Sequence, residues 1–346
     1  MRIALDAMGT DRHPDVEVQG AVQALRDLPG DFSLVLVGDQ AKIEAALERA
    51  GDYPQDRLDI VHASQTIAGS DSPAAAVRRK PDSSIAIGLA LHKRGEADAF
   101  ISAGNTGATM AASLFLLGKL PGVARPTVAT MLPTAKGPML LADAGANVDC
   151  KPQQLLQFAQ LAAVYVKDVL KIADPRIGLL NIGEEPEKGN EAAVEAYRLL
   201  SESGLNFIGN VEGRDIIRGV CDVLVADGFV GNVLLKFYES VATFMYRLVA
   251  SGLGEKAREV DLDRIFHLFD WTEYGGAPLL GVNGVSIVCH GGSPPRAIRN
   301  AVRVAIQAVE NRMVGHIEAE IQRTADADDG VMEAAHGKAD RVPEGA

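Results

Sequence analysis

Five short stretches rich in glycine and small polar residues have the composition of an anion-binding site. They are DAMGTD (6–11), SAGNTG (102–107), NIGEEPEKGN (181–190), DGFVGN (227–232) and HGGS (290–293), and each follows an apolar segment. Glycines let the backbone come close to a ligand, and a loop that enters a helix offers free N–H groups to an oxyanion. One such loop is usually only a turn, but five of them predict a shared polar cleft for phosphate or another small anion.

Motifs that the chain lacks narrow the chemistry of this cleft. The sequence contains neither the GxxxxGK[ST] of nucleotide-binding P-loops nor a GxGxxG after the first strand. HGGS is similar to the oxyanion motif of esterases, but no GxSxG elbow accompanies it. The histidines show no HxxxH spacing, so we predict neither a metal nor a cofactor. What remains suits a reaction in which the bound anion is itself the nucleophile.

Apolar segments that alternate with segments of helical period must hold these loops in place. The strand candidates are residues 2–7, 33–38, 58–63, 98–103, 127–132, 138–144, 176–182, 206–210, 222–227 and 285–289. Near-continuous apolar strands between helices predict a three-layer α/β fold, with a mainly parallel sheet and helices on both faces. We expect one catalytic unit over residues 1–323, in which the loops meet beyond the carboxyl ends of the strands.

Composition restricts the partners and the compartment. A net charge of −12 over 346 residues disfavours general affinity for nucleic acid or anionic lipid. The chain has no 18-residue apolar run and no signal-peptide pattern, so we expect a cytoplasmic protein. Cys150, Cys221 and Cys289 are far apart, and we expect buried free thiols. The tail, residues 324–346, is acidic and poor in large apolar residues, and we expect it to be disordered.

Nine motifs resemble, in their order along the chain, those of the bacterial phosphate acyltransferase (PlsX) family. They are DAMGTD, KPDSS, SAGNTGA, DAGANVDCKP, LLNIGEEPEKGN, GNVEGRDI, DVLVADGFVGNVLLK, EYGGAPLLG and HGGS. The resemblance implies an enzyme that makes acyl phosphate from long-chain acyl-acyl carrier protein and inorganic phosphate, early in phospholipid synthesis. It also implies a fold like that of the isocitrate and isopropylmalate dehydrogenases, a homodimer, and peripheral contact with the membrane and a membrane acyltransferase. One departure is Thr10, which stands where the family usually has a second glycine.

The implied reaction suggests roles for residues of the loops. The amides of residues 104–107, helped by Asn105 and Thr106, would hold phosphate. Lys236, one turn into a helix that starts at GNVLLK, would neutralise the phosphate or the oxyanion, and His290 would protonate the departing thiolate or tune phosphate ionisation. Asp227 would orient these donors. Other residues expected at the phosphate or substrate site are Asp6, Gly9, Asp11, Ser102, Gly104, Gly107, Asp143, Asn147, Gly228, Gly231 and Asn232.

Each role has a plainer alternative. His290 could bond only to backbone, Lys236 could be a solvated surface charge, and Asn105 could be only a helix cap. Asp6 and Asp227 could simply tie strand ends together. Two other functions also stay open: a short-chain phosphate transacylase that uses acyl-CoA, and a non-catalytic phosphate- or metabolite-binding protein.

Two basic clusters could receive the acidic carrier protein, although a solvated helix face is the ordinary alternative. One consists of Arg78, Arg79 and Lys80, and the other of Arg296, Arg299 and Arg303. A helical, apolar excursion over residues 237–271 could belong to the core, to a dimer interface or to a membrane contact.

Overall fold

The computed structural model describes residues 1–254, 260–262 and 271–324. The strands are β1 (Arg2–Asp6), β2 (Ser33–Gly38), β3 (Leu58–His62), β4 (Ala99–Ser102), β5 (Thr127–Thr134), β6 (Gly137–Ala142), β7 (Ile177–Asn181), β8 (Phe207–Glu212), β9 (Val223–Val225), β10 (Ala277–Leu280) and β11 (Val285–Val288). The helices are α1 (Asp15–Asp27), α2 (Gln40–Ala50), α3 (Pro73–Arg79), α4 (Ser84–Lys93), α5 (Thr106–Leu116), α6 (Pro152–Val169), α7 (Glu191–Glu202), α8 (Gly213–Ile216), α9 (Gly228–Leu253) and α10 (Pro295–Glu310). A last helix covers residues 313–324.

All of these strands belong to one sheet that contains two parallel halves. The strand order is β3-β2-β1-β4-β11-β10-β5-β6-β9-β7-β8. Strands β3, β2, β1, β4 and β11 run parallel to one another, and so do β6, β9, β7 and β8. Between the halves, β10 is antiparallel to both β11 and β5, and β5 is antiparallel to β6. The two halves therefore point in opposite directions.

The register of the central strands brings the carboxyl ends of the two halves together. Ala277 of β10 pairs with Val288, the last residue of β11. Leu279 pairs with Val128, so the same antiparallel register places Ala277 level with Thr130 of β5. Thr130 in turn pairs with Leu141, one residue before the end of β6. The loops that follow β11 and β6 consequently start at about the same level of the sheet, with β10 and β5 between them.

Helices cover both faces of the sheet, as predicted. On one face α1, α2, α6 and α10 pack over a core that includes Leu5, Leu34 and Phe158. On the other face α3, α4 and α5 cover the first half of the sheet around Phe100, and the inner side of α9 packs near Met139. Full burial of one such aliphatic or aromatic side chain contributes about 1.5–3 kcal/mol. The three-layer, mainly parallel α/β fold expected from the sequence is confirmed.

The ten predicted strands are confirmed with ends that shift by at most two residues, and the sequence reading missed β10. This strand has only four residues, contains Pro278 and lies between Gly276 and Gly281. Proline removes a ladder donor and flanking glycines are typical of loops, so the local pattern did not indicate a strand. Its place is fixed by its two neighbours in the sheet.

The outer face of α9 carries an exposed apolar stripe. Its members are Phe237, Val241, Phe244, Met245 and Leu248, which are 38–65% exposed in the single chain. The stripe therefore does not belong to the core. Of the three alternatives left open by the sequence, a dimer interface and a membrane contact remain. Two parts of the predicted apolar excursion, residues 255–259 and 263–270, and the predicted tail from residue 325 onward lie outside the described residues. Among the described helices none is long and apolar enough to cross a membrane.

Candidate active site

A cavity of about 170 Å³ lies between the ends of β4 and β11 on one side and α9 on the other. It brings together four of the predicted site residues, which come from three different loops: Thr106, Asn232, Lys236 and His290. Its remaining wall is mainly apolar and includes Val128, Met131, Ala144, Leu235, Ala277, Val288, Cys289 and Ala297. A small cavity with a few convergent polar groups in an apolar wall is the usual form of a binding site.

Asn105 is the N-cap of α5. Its side-chain oxygen accepts a hydrogen bond from the amide of Ala108 at 2.9 Å. Its side-chain NH2 group donates to the carbonyl oxygens of residues 68, 69 and 71. The capping alternative therefore describes the geometry, and the same side chain also ties the preceding loop to the start of α5. Asn105 is engaged with the backbone before any phosphate binds.

The first turn of α5 offers backbone N–H groups to a ligand. The first N–H groups of a helix have no intrahelical acceptor, and the positive end of the helix dipole lies there. Within the described part of the chain, no acceptor contacts the amides of Thr106 and Gly107. The amide of Gly104 instead donates to the hydroxyl of Ser102 at 3.0 Å. Of the amides of residues 104–107 that were predicted to hold phosphate, those of Thr106 and Gly107 are therefore available to a ligand.

A buried glutamate closes the DAMGTD loop. Glu17 of α1 accepts hydrogen bonds from the amides of Gly9 at 3.1 Å and Thr10 at 2.6 Å, and from the Thr10 hydroxyl at 3.0 Å. The amide of Asp11 donates to the carbonyl oxygen of Gly291 at 2.9 Å. The amides of this loop are therefore engaged within the chain. Gly9 and Asp11 were predicted to help bind the anion, but their amides are not available for it. The loop instead holds HGGS in place.

The same loop packs closely against SAGNTG. A Cβ atom at Gly9 would lie 2.5 Å from the amide nitrogen of Gly104. Asp6, fully buried at the end of β1, accepts hydrogen bonds from the amide of Met8 at 3.0 Å and from the hydroxyl of Ser102 at 2.6 Å. Burial raises the pKa of Asp6 above its ordinary value. Asp6 and Ser102 thus tie the ends of β1 and β4 together, as the plainer alternative proposed.

Asp143 organises the loop that follows β6. Its side chain accepts hydrogen bonds from the amides of Val128, Gly145, Ala146 and Asn147, and from the side-chain NH2 of Asn147 at 2.7 Å. Burial nevertheless raises the pKa of Asp143. Both predicted residues, Asp143 and Asn147, therefore shape the loop on which α9 rests.

Two glycines let α9 approach this loop. A Cβ atom at Gly228 would lie 2.2 Å from the carbonyl oxygen of Asn147, and one at Gly231 would lie 1.9 Å from that of Asp143. No real side chain fits at those distances, so any other residue would push α9 away from the loop. This close contact places the next turns of α9, with Asn232 and Lys236, at the cavity.

Helix α9 begins earlier than the sequence suggested. Its N-cap is Asp227, whose carboxylate accepts hydrogen bonds from the amides of Phe229 at 2.8 Å and Cys150 at 2.7 Å. Glycines are unfavourable in an isolated helix, so the sequence predicted a later start. Here they are required for the contact between the helix and the loop. Lys236 consequently lies two turns into α9, and the prediction of one turn is wrong.

Lys236 carries the positive charge of the cavity wall, together with a neighbouring carboxylate. Its Nζ forms an ion pair with Oε2 of Glu239 at 2.9 Å, and both residues line the cavity. The Lys236 side chain is about half exposed, so this pair contributes little to stability. An incoming anion would compete with Glu239 for the ammonium group.

His290 begins the HGGS loop at the end of β11 and is exposed at the cavity. Its Nδ1 accepts a hydrogen bond from the amide of Gly292 at 3.0 Å. The neutral ring therefore carries its proton on Nε2. The backbone contact expected from the plainer alternative is present, and it orients the ring at the same time.

The NIGEEPEKGN loop does not reach this cavity. Its residues Asn181, Gly189 and Asn190 line a second, larger groove of about 990 Å³ on the opposite side of α9. Asn190 caps α7 by accepting from the amide of Ala193 at 2.9 Å, and Asn181 donates to the carbonyl oxygen of Lys188 at 2.9 Å. Three of the five predicted loops therefore line the cavity, DAMGTD packs against two of them, and NIGEEPEKGN lines the groove.

The predicted free thiols are confirmed, and all three are buried. Cys289 lies in the wall of the cavity, where burial raises the pKa of its thiol to about 12. A thiol with this pKa is protonated at neutral pH and is a poor nucleophile. Among the described residues there is no His, Cys, Asp and Glu cluster that would suit a metal ion.

The two predicted basic clusters differ in how many of their side chains are paired with other residues of the chain. Arg296 and Arg303 bind residues 272–273, through an ion pair with the Glu273 carboxylate at 2.8 Å and a hydrogen bond to the Glu273 carbonyl oxygen at 2.9 Å. Arg299 pairs with Asp27 of α1 at 3.1 Å. This stripe of α10 holds neighbouring segments in place, so its guanidinium groups are less available to a carrier protein, and its docking role stays a prediction.

The other cluster is more accessible. Arg78 and Arg79 are exposed at the end of α3, and the Arg78 guanidinium lies over the exposed ring of Phe115 at 5.2 Å from its centroid. Lys80 is committed to Asp71 at 2.6 Å and to the carbonyl oxygen of Thr66. Helix α3 also packs on α5, since a Cβ atom at Gly107 would lie 2.7 Å from a ring carbon of Pro73. The accessible cluster is therefore next to the helix that borders the cavity.

Three residues of the site were missed from the sequence: Glu17, Glu239 and Ser293. Glu239 and Ser293 line the cavity, and Glu17 holds one of the loops around it. Ser293 lies inside the HGGS motif, and Glu239 follows Lys236 by three residues, a spacing that places both on one side of a helix. Glu17 has no such signal, because its contact with Thr10 depends on how the chain turns between β1 and α1.

Comparisons with known proteins give a family. Residues 1–315 match the family described as "Fatty acid synthesis protein". The chain is 47% identical over 329 residues to the phosphate acyltransferase of Desulforamulus reducens, with 93% of this chain and 98% of the relative covered. It is 49% identical over 330 residues to that of Heliobacterium modesticaldum, with 93% and 98% covered. A phosphotransacetylase from Streptococcus pyogenes has the same fold, with a TM-score of 0.60 at 19% identity over 90% of this chain and 94% of that one.

The buried carboxyl of Glu17 makes stability depend on pH. Burial raises the pKa of Glu17 from 4.5 to about 7, so ionisation costs the folded state more than the unfolded state. This cost grows as the pH rises from the unfolded to the folded pKa and is constant above it. Glu17→Gln keeps the shape and removes the charge. We therefore expect the free energy of unfolding of the variant, relative to wild type, to rise by up to about 3 kcal/mol between pH 5 and 7.5.

Urea unfolding at pH 5, 6, 7 and 8 measures this difference. Hydrogen bonds that the amide group loses shift all four values together, so only the pH dependence reports the charge. A difference between wild type and Glu17→Gln that stays constant from pH 5 to 8 would contradict the raised pKa.

Proposed function

The chain belongs to the phosphate acyltransferase family, and we propose that it transfers a long-chain acyl group from acyl-acyl carrier protein to inorganic phosphate. The products are acyl phosphate and free carrier protein. The observation that carries this proposal is the cavity in which Thr106, Lys236 and His290 meet, since it combines helix amides, a cation and a proton donor. Such a set can hold an anion and assist the loss of a thiolate.

Phosphate binds at the start of α5. The free amides of Thr106 and Gly107 and the positive end of the helix dipole attract it, and the Thr106 hydroxyl adds a donor. Lys236 on α9 neutralises part of its charge from another side of the cavity. Binding requires Lys236 to leave Glu239 or to share its ammonium group between the two anions. Glu239 therefore lowers the affinity for phosphate and keeps Lys236 in place when the site is empty.

The bound phosphate attacks the thioester directly. A phosphate oxygen forms the new bond to the carbonyl carbon, the carbon–sulfur bond breaks, and the sulfur leaves as a thiolate that takes up a proton. Cys289, the thiol in the cavity wall, is protonated at neutral pH because burial raises its pKa to about 12. Phosphate is itself a usable nucleophile, so positioning and charge stabilisation are enough for catalysis.

His290 supplies the proton to the departing sulfur. Because Gly292 donates to Nδ1, the neutral imidazole carries its proton on Nε2. The residue is exposed at the cavity, where a bulky carrier protein has to approach and leave. Donation from Nε2 to the thiolate lowers the barrier to its departure.

Acyl carrier protein docks on Arg78 and Arg79 beside the Phe115 ring. These arginines have no carboxylate partner among the described residues, unlike the stripe on α10. The carrier is acidic, so exposed cations next to α5 steer its thioester toward the cavity. An acyl donor that is not attached to a carrier protein, such as an acyl-CoA, would not use this surface in the same way. Family membership favours the carrier over the short-chain alternative and over a silent binding protein.

The exposed stripe of α9 supports assembly with another surface. Five large apolar side chains along one helix face are unusual on a soluble monomer. We assign this stripe to the homodimer, and we expect peripheral contact with the membrane to bring the labile acyl phosphate to its acceptor enzyme. We propose that the protein works in the cytoplasm at the membrane surface.

The first prediction from this proposed function concerns Lys236 and Glu239. The assay follows phosphate-dependent release of carrier thiol from long-chain acyl-carrier protein, with acyl phosphate trapped by hydroxylamine. Lys236→Met removes a charged contact worth about 1.5–3 kcal/mol, so kcat/KM for phosphate should fall roughly 10- to 100-fold. Glu239→Gln removes a competitor worth at most about 1 kcal/mol, so KM for phosphate should fall about two- to fivefold.

Glu195→Gln is the matched control, since it breaks a similar (i, i+3) ion pair, with Arg198 on α7, at the far edge of the sheet. Its kinetics should equal those of wild type. A phosphate KM that is unchanged in both cavity variants would rule out the proposed phosphate site, and a wild type without thiol release would rule out the function.

The second prediction concerns the docking surface. In Arg78→Glu/Arg79→Glu the KM for acyl-carrier protein should rise at least tenfold at low salt, because attraction becomes repulsion. The KM for phosphate should not change. Lys93→Glu in the last turn of α4, which lies beside the start of β11, is the control and should behave like wild type. A carrier KM that is equal in all three proteins would place the docking surface elsewhere.

A further inference from the structure

Ser293, the last residue of the HGGS loop, holds a hydroxyl group without a partner. The residue is 1% exposed, and its Oγ has no hydrogen bond to any described part of the chain. A buried polar group without a partner costs about 1–3 kcal/mol, and nearly all such groups in native proteins are paired. An unpaired hydroxyl in the wall of a cavity therefore indicates a partner that arrives with the ligand.

The backbone fixes Ser293 firmly at this place. Its amide donates to the carbonyl oxygen of His290 at 2.9 Å, which closes the loop into a turn. Helix α10 starts immediately afterwards, with Pro294 at the N-cap and Pro295 in the first turn, and no side chain caps it. The hydroxyl thus stands beside the positive end of a 16-residue helix dipole. Both features favour an oxygen atom that carries or develops negative charge.

The surroundings of Ser293 indicate which oxygen its hydroxyl contacts, that of phosphate or the carbonyl oxygen of the thioester. Phosphate is fully charged before it reacts and needs a cation, which is Lys236 on α9. No charged side chain of the cavity wall comes from the segment around Ser293, which contributes the apolar Val288, Cys289 and Ala297 and the His290 ring of the same turn. A neutral donor in an apolar wall suits a carbonyl oxygen, which is neutral in the substrate and becomes negative only as the nucleophile attacks.

We propose that the Ser293 hydroxyl donates a hydrogen bond to the carbonyl oxygen of the thioester and stabilises the negative charge that forms there. This inference rests on the proposed function. As the phosphate oxygen bonds to the carbonyl carbon, the carbonyl electron pair moves onto the oxygen that Ser293 contacts. The pair returns when the carbon–sulfur bond breaks and the thiolate leaves. A serine hydroxyl reorients by rotation about one bond, so it can follow this oxygen without movement of the loop.

The test is Ser293→Ala, measured with long-chain acyl-carrier protein and phosphate. Loss of one donor to a developing oxyanion lowers kcat about 100-fold, and it should leave the KM for phosphate unchanged. Thermal unfolding should show no loss of stability, because the variant removes a hydroxyl that has no partner in the folded chain. A loss of activity without a loss of stability is what a merely structural serine would not produce.

Ser286→Ala is the matched control. Ser286 is equally buried on β11, but its hydroxyl bonds to that of Ser113 at 3.0 Å, so this variant should lose stability and keep its kcat. A wild-type kcat in Ser293→Ala overturns the inference, and so does a raised phosphate KM at unchanged kcat. A fall in unfolding temperature as large as that of the control overturns it as well. Absence of acyl phosphate with wild type is a separate result, which rejects the proposed function itself.

Discussion

Buried and half-buried carboxylates that accept hydrogen bonds from backbone amides hold the site together. Asp6, Glu17, Asp143 and Asp227 each bind amides at the end of a strand or the start of a helix. Burial raises the pKa values of the first three, so ionisation of these groups is costly and the surrounding donors offset part of that cost. These internal anions occupy the amides that an external anion would otherwise use. Among the described loop amides, those of Thr106 and Gly107 at the start of α5 have no acceptor within the chain and can bind a ligand.

The offset of the sheet explains how distant loops come to face one cavity. The parallel halves point in opposite directions, and β10 joins them by pairing first with β11 and then with β5. The register places the end of β11 beside the end of β6, and α9 then runs back past both. Glycines at 228 and 231 allow that passage, because the carbonyl groups of the loop leave no room for a side chain. A cation from one half and helix amides from the other thereby reach the same ligand.

Much of the fold could be predicted from local patterns, and less of the site. Apolar runs identified ten strands, and the motif order identified the family. Local patterns could not show that Asn105 and Asp6 are engaged with backbone, because a free and an engaged polar side chain have the same sequence. They could not reveal Glu17 or the second direction of the sheet either, since both depend on contacts between distant segments. Lys236 and His290 were predicted because Lys236 closely follows the glycine-rich DGFVGN loop and His290 begins the glycine-rich HGGS loop.

The central claim is direct attack by phosphate without an acyl-enzyme. Exchange of labelled free carrier protein into acyl-carrier protein, measured in the absence of phosphate, tests it most directly. The account predicts no exchange, because the thiol in the cavity wall, that of Cys289, is protonated at neutral pH and the acyl group passes directly to phosphate. Exchange should begin when phosphate is added. Exchange at full rate without phosphate would show a covalent acyl-enzyme and contradict the account.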